Sequence, residues 1–277
     1  MLDVDRAWDR LHTRLADEQL LGPDDAKKVT VSFITKVRWA AAIIVLCICG
    51  GGAYLYLFPA KETEQLFTLH NNEASSTLVS ALDDGSMVYL TDGATLTCPE
   101  HFATDRRQVT LQGEALFDIR SNKNCPFLIE TESAMVEVAG TTFNIKSDGS
   151  ESFELSVQHG LVKVTVKTTG AQTMVEAGET VLLKANGQLQ KEPTRVLQPF
   201  NRYTEKMRFK DERLCNIVHV INKVSDKPIV FADSLLAERE RMSVTFANNT
   251  PDEMLHFVCI AMGLTCTDNG EKIVIDK

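Results

Sequence analysis

The chain lacks the sequence signatures of catalysis. It has no G-x-S-x-G elbow, no H-E-x-x-H, and no glycine loop of the kind that cradles phosphate ahead of a helix. The six histidines are scattered, and no pair among the seven cysteines has zinc-ligand spacing, so neither a metal centre nor a cofactor is expected. Asp83, Asp84, Glu114 and Asp118 stand near strand ends, but Asp-Gly and Gly-Glu pairs are ordinary turn chemistry. Ser86 has no histidine beside it in sequence. The chain is therefore read as a non-enzyme, with no catalytic residue assigned. A cationic excess is missing as well. Up to Arg38, seven Lys and Arg meet seven Asp and Glu, so the whole formal charge of −9 falls on the remainder. That excludes a nucleic-acid or anionic-lipid surface there. Cysteine is too sparse for a disulfide framework. Cys47 and Cys49 sit in an apolar run, and the five others are an odd number, so at least one thiol stays unpaired within a monomer. Most are expected to act as small buried hydrophobes.

What is present begins with that apolar run. Trp39 to Phe58 carries no charge and is long enough to span a bilayer as a helix. Gly50, Gly51 and Gly52 suit a membrane helix better than a soluble one, and Trp39, Tyr54 and Tyr56 stand like an interfacial belt. Lys27, Lys28, Lys36 and Arg38 precede the run and only Lys61 follows closely, so the N-terminus is placed in the cytoplasm. Six segments follow: a head over 1–38, the span over 39–58, a polar stalk over 59–76, a β domain over 77–192, a connector over 193–204 and an α+β module over 205–277.

In the head, Val4, Trp8, Leu11 and Leu15 recur at helical spacing, and Gly22-Pro23 ends the helix. One short amphipathic helix has nothing of its own to bury its stripe against, so it wants another surface.

Beyond the stalk, alternating apolar residues run repeatedly into a glycine: MVYLTDG, VTLQG, VEVAG, LSVQHG and VEAG, at Gly93, Gly113, Gly140, Gly160 and Gly178. The intervals are 20, 27, 20 and 18 residues. That period favours stacked β-coils with glycine at each corner, a β-solenoid-like sheet. An antiparallel sandwich with glycine turns predicts the same alternation. In either case the segment is all-β.

After Pro193 and Pro199 the period changes to 3.6. Residues 206–209 read as a strand, and Leu214, Ile217, Val218 and Ile221 mark a helix. Strands follow at 228–231 and 242–246. Thr250-Pro251-Asp252-Glu253 starts a second helix as cap, first-turn proline and capping box, and Gly263 stops it. A hairpin around Asn269-Gly270 closes the β-α-β-β-α-β-β order.

The motifs LDDGSMVYLTDGATL (82–96), RQVTLQGEALFDI (107–119), PFLIET (126–131) and VEVAGTTFNI (136–145) resemble the exported domain of FecR-type sigma-factor regulators, in the version with a Bacteroidota-style C-terminal domain. With that end included the resemblance covers about 200 residues. Ala94 replaces a frequent serine and Ala139 a usual leucine, both packing-scale changes.

The resemblance implies a transmembrane anti-sigma factor of a bacterial inner membrane, its N-terminus cytoplasmic and its body periplasmic. It implies an extracytoplasmic-function sigma factor as cytoplasmic partner, held by Trp8, Leu11 and Leu15. It also implies a periplasmic partner, the signalling domain of a TonB-dependent outer-membrane receptor, and control of transport genes such as those for iron or glycan uptake. The C-terminal module looks like the short domain shared by secretins and TonB-dependent receptors, which serves protein contacts. Family members carry a longer cytoplasmic region than the WDRL-type segment recognisable here. A periplasmic binding or scaffold protein with no sigma partner is the other function open to this sequence.

Overall fold

The computed structural model describes residues 4–17, 46–50, 65–149, 152–194 and 198–277, and the chain divides into two compact units at Thr63/Glu64. In the first unit, helix α1 (Val4–Asp17) is amphipathic, and Trp8 and Leu11 are 65% and 49% exposed. Leu15 lies in the same helix, its side chain outside the described residues. Residues 46–50 are helical. The rest of the expected span Trp39–Phe58 lies outside the described residues, among which no helix is long and apolar enough to cross a membrane.

The second unit is mainly β. Its strands are β1 (Leu66–His70), β2 (Thr77–Ala81), β3 (Met87–Leu90), β4 (Thr95–Pro99), β5 (Arg107–Asp118), β6 (Phe127–Glu130), β7 (Ala134–Val138), β8 (Thr142–Ser147), β9 (Phe153–His159), β10 (Leu161–Val166), β11 (Gln172–Glu176), β12 (Glu179–Leu183) and β13 (Leu189–Pro193). One sheet runs β11-β10-β7-β6-β5-β4-β1. The other contains β2-β3-β5-β8-β9-β12-β13. Both use β5, so the strands wrap nearly closed around one core of Leu90, Leu96, Leu111, Phe117, Phe127, Ile129, Phe143, Ile145 and Leu155, all buried.

The pairing overturns the expected β-solenoid. In stacked coils each rung lies parallel to the last, whereas here every pair among these strands is antiparallel except β5 with β6. The roughly 20-residue period has another origin. From β6 onward the chain lays a hairpin in one sheet, crosses, and lays the next hairpin in the other: β6-β7, β8-β9, β10-β11, β12-β13. A hairpin plus a crossing has about the length of one coil, so spacing alone could not tell them apart.

All five glycines singled out lie at these crossings. Gly93 links β3 to β4, Gly140 links β7 to β8, Gly160 links β9 to β10, Gly178 links β11 to β12, and Gly113 sits inside β5 where it passes between sheets. The crossings are tied in place by backbone bonds: Asn122 N–H donates to Ala139 O at 2.7 Å and Ile119 N–H to Thr141 O at 3.0 Å, joining the β5–β6 and β7–β8 links, and Gly178 N–H donates to Val157 O of β9 at 2.9 Å.

The C-terminal segment adds α2 (Gln198–Glu205), β14 (Lys206–Arg213), α3 (Leu214–Val224), β15 (Ile229–Phe231), α4 (Ser234–Arg239), β16 (Arg241–Ala247), α5 (Pro251–Met262), β17 (Thr265–Asp268) and β18 (Ile273–Asp276). The capping box at Thr250 and Glu253 is formed, and Gly263 caps the other end in the left-handed region at φ 65°. The sequence reading missed α4 and placed a plain connector where α2 forms. The segment is not a free-standing sheet either. β14 pairs in parallel with β2 and antiparallel with β16, extending the second sheet, while β15-β18-β17 make a small sheet of their own.

Candidate interaction site

β5 shows why the two halves join. Its odd residues Val109, Leu111, Ala115 and Phe117 enter the core between the sheets, and its even residue Leu116 packs on the opposite face. There Leu116, with Val79, Met87 and Tyr89, meets Met207, Phe209, Ile217, Ile221 and Val258 in a second apolar cluster. All four residues of β3 are buried for this reason: Val88 and Leu90 face inward, Met87 and Tyr89 outward.

Polar ties rim this joint. The carboxylate of Glu114 pairs with Arg202 and accepts from Asn144 Nδ2 at 3.1 Å. The hydroxyl of Tyr203, a wholly buried side chain on α2, donates to Asn144 Oδ1 at 2.5 Å. Burial pushes the Tyr203 hydroxyl above the usual phenol range, so it stays a donor at any physiological pH. Asp118, also on the outer face of β5, pairs with Lys223 of α3. Partial burial lowers the Lys223 ammonium from its ordinary value.

Nearby, Glu212 is buried and has no cationic partner among the described residues. Its carboxylate accepts from Ala81 N–H at 3.0 Å, Ser80 Oγ at 3.3 Å, Asn216 Nδ2 at 2.7 Å and Arg213 N–H at 3.0 Å. The irregularity between Phe209 and Glu212, with Asp211 at φ 47°, brings that carboxylate inward. A cleft of about 340 Å³ opens beside the joint, lined by Thr77, Thr91, Glu114, Arg202, Tyr203 and Lys206 among others.

The carboxylates weighed for catalysis are thus ties. Asp84 holds Arg107 at 2.5 Å and Ser86 Oγ at 2.7 Å, and Asp83 accepts from Phe102 N–H at 3.3 Å. Among the described residues no group of three or more His, Cys, Asp or Glu is arranged to hold a metal ion. Cys259 and Cys266 form a disulfide between α5 and β17, a pairing the sequence left open. Cys98 and Cys125 are buried free thiols, and burial pushes Cys98 up to about 12, which makes it inert. The tie residue that sequence reasoning missed is Tyr203. The trace it left was a pair of aromatics, Phe200 and Tyr203, in the otherwise polar stretch just after Pro199.

Comparison with known proteins places this architecture. Residues 70–163, from the end of β1 into β10, match the family model described as FecR protein. The chain carries a FecR domain. The FecR family is regulatory and non-enzymatic, and its members act on sigma factors. Two crystal structures of a candidate anti-sigma factor from Parabacteroides distasonis ATCC 8503 are similar to this chain at 22% identity each. One covers 77% of this chain and 99% of its own with a TM-score of 0.48; the other covers 76% and 99% with a TM-score of 0.47. No curated protein matches the chain. Within the FecR domain lie Gly93, Gly113, Gly140 and Gly160, while Gly178 and the C-terminal half of the joint lie beyond the matched residues.

Proposed function

We propose that this chain is a single-pass transmembrane anti-sigma factor of a bacterial inner membrane. It relays the state of a TonB-dependent outer-membrane receptor to an extracytoplasmic-function sigma factor and so controls transport genes. The observation that carries the reading is the FecR match over residues 70–163. Three features support the topology. The uncharged run Trp39–Phe58 divides the chain, with its cations on the N-terminal side. Helix α1 exposes Trp8 and Leu11, as a segment awaiting a partner would. The body contains a disulfide, a linkage that persists in oxidising compartments such as the periplasm. In this reading Trp8, Leu11 and Leu15 hold the sigma factor, and the C-terminal module receives the receptor's signalling domain.

The test is co-purification of the sigma factor with the full chain from cells expressing both, with titration calorimetry on residues 1–38. Saturable binding that Trp8→Ala weakens at least tenfold and Arg10→Ala leaves nearly unchanged supports the reading. Equal effects would remove the apolar-stripe contact. No binding would favour an envelope scaffold without a sigma partner. Protease added to spheroplasts should digest the body and spare α1; protection of the body would reverse the topology.

A further inference from the structure

The strand edges of the body differ in how they are guarded. An exposed edge is a ready template for another strand, and proteins blunt it with charge, proline or shortness. β13 carries Lys191, Glu192 and Pro193, β11 ends in Glu176, β16 begins with Arg241 and β17 ends in Asp268. β15 has only three residues. β1, LFTLH, has five residues with neither a formal charge nor a proline, and among the described residues it pairs with β4 alone. Leu66 and Phe67 on it are 63% and 38% exposed.

The backbone of β1 sets what can be added. Glu100 N–H donates to Gln65 O, and Asn71 N–H donates to Ala94 O, so the odd residues 65 to 71 turn their backbone groups toward β4. Leu66, Thr68 and His70 therefore turn theirs to the open edge. Side chains follow the same alternation: Leu69 reaches the core between the sheets, whereas Thr68 and His70 lie with Thr97 and Thr95 on the outer face.

We infer that β1 pairs with β1 of a second copy of this chain, antiparallel and centred on Thr68. That register sets Thr68 opposite Thr68 and Leu66 opposite His70, all residues with outward backbone groups, so both chains satisfy them at once. It also sets Phe67 of one copy beside Leu69 of the other, extending the apolar core across the join. No like charges meet. The choice of a second copy rests on the membrane reading above: only residues 59–65 separate Phe58 from β1, a reach of at most about 25 Å. Every copy then holds β1 at a similar height over the same membrane. A five-residue strand pair alone buries less than the roughly 1,600 Å² of a standard interface, and confinement by the anchor supplies the missing effective concentration.

The test is cysteine cross-linking of the full chain in native membranes, with the wild-type chain as background for its own thiols. Paired Thr68 residues have Cα atoms about 5.5 Å apart, within disulfide range, whereas two His70 residues lie about 13 Å apart in this register. Thr68→Cys is expected to give an oxidised species of twice the chain mass, His70→Cys to stay at background, and co-expressed Leu66→Cys and His70→Cys to cross-link to each other. Thr68→Pro, whose lost N–H faces away from β4, should abolish the dimer with the unfolding midpoint nearly unchanged. Equal cross-linking at 68 and 70, none at 68, or a product of another mass would overturn the inference. Whether the chain sediments with membranes is scored separately, so failure of the anchor and failure of the pairing are distinguishable.

Discussion

Gly113 and Gly140 share a residue type for different reasons. At Gly113 the backbone sits at φ 93°, and a Cβ there would lie 2.9 Å from Ala94 Cα. At Gly140 the φ lies outside the left-handed region, but a Cβ would stand 2.4 Å from Ser121 Cα, backbone against backbone. Gly93 is the opposite case: φ 72° with nothing within 4 Å of the added atom. Gly93→Ala should therefore cost only the left-handed penalty, about 1–2 kcal/mol. Gly140→Ala forces two bonded crossings apart and belongs at the upper end of the overpacking range, about 3 kcal/mol. Urea unfolding of both variants measures the difference. A Gly140→Ala chain no less stable than Gly93→Ala would mean the crossings are not packed as tightly as this. The sequence pointed to these positions as corners because glycine recurred at strand ends. It could not show which were needed for conformation and which for space, since the space at Gly140 is taken by a residue nineteen positions earlier.

Among the elements, α5 was the most legible, because its start is chemically over-determined. Thr250 Oγ1 accepts from Glu253 N–H, the Glu253 carboxylate accepts from Thr250 N–H at 2.9 Å, and Pro251 occupies the first turn. Thr250→Ala should cost about 1 kcal/mol and Thr250→Ser much less, read from thermal unfolding. The cap is also pH-dependent. The Thr250 backbone N–H holds the Glu253 carboxyl below its ordinary value of 4.5. A depressed folded value means this contribution is complete above the unfolded value and is lost as pH falls through the folded one, so the cap weakens only once the pH has dropped below the ordinary glutamate value. Thr250→Ala keeps that backbone N–H, so it is Glu253→Ala that should destabilise the chain less at pH 3 than at pH 7. By contrast α4, six residues long, is too short for periodicity to mark. β3 misled in another way: MVYL has no polar residue to alternate with, and that run was the trace of a strand covered on both faces. The expected β-solenoid failed at the same scale, because pairing direction is a property of partners distant in sequence and leaves no mark on the period.

For the body as a whole, residues 64–277 form one compact unit, although the sequence suggested two small domains joined by a connector. The proline-flanked change of period was real, but it marks a change of secondary structure within one fold. β14 lies against β2, Glu212 accepts from Ala81 N–H, and Tyr203 fills the seam beside Glu114 and Asn144. Removing everything after Pro199 would therefore do more than delete a docking module. It would uncover Val79, Met87, Tyr89 and Leu116, and such side chains contribute about 1.5–3 kcal/mol each when fully buried. It would also leave β2 as a bare edge. The truncated chain is expected to lose most of the 5–15 kcal/mol that holds a typical domain together, and to unfold or aggregate rather than persist as a FecR domain. The full body should melt in a single transition, with β-sheet signal and Tyr203 environment lost together. Two separated transitions, or a truncated chain that melts like the intact one, would restore the two-domain description. For the same reason, loss of receptor binding on truncation could not by itself assign the dock. Surface substitutions on α5, such as Phe257→Ser and Ile260→Ser, whose side chains are 54% and 66% exposed, would test it without opening the seam.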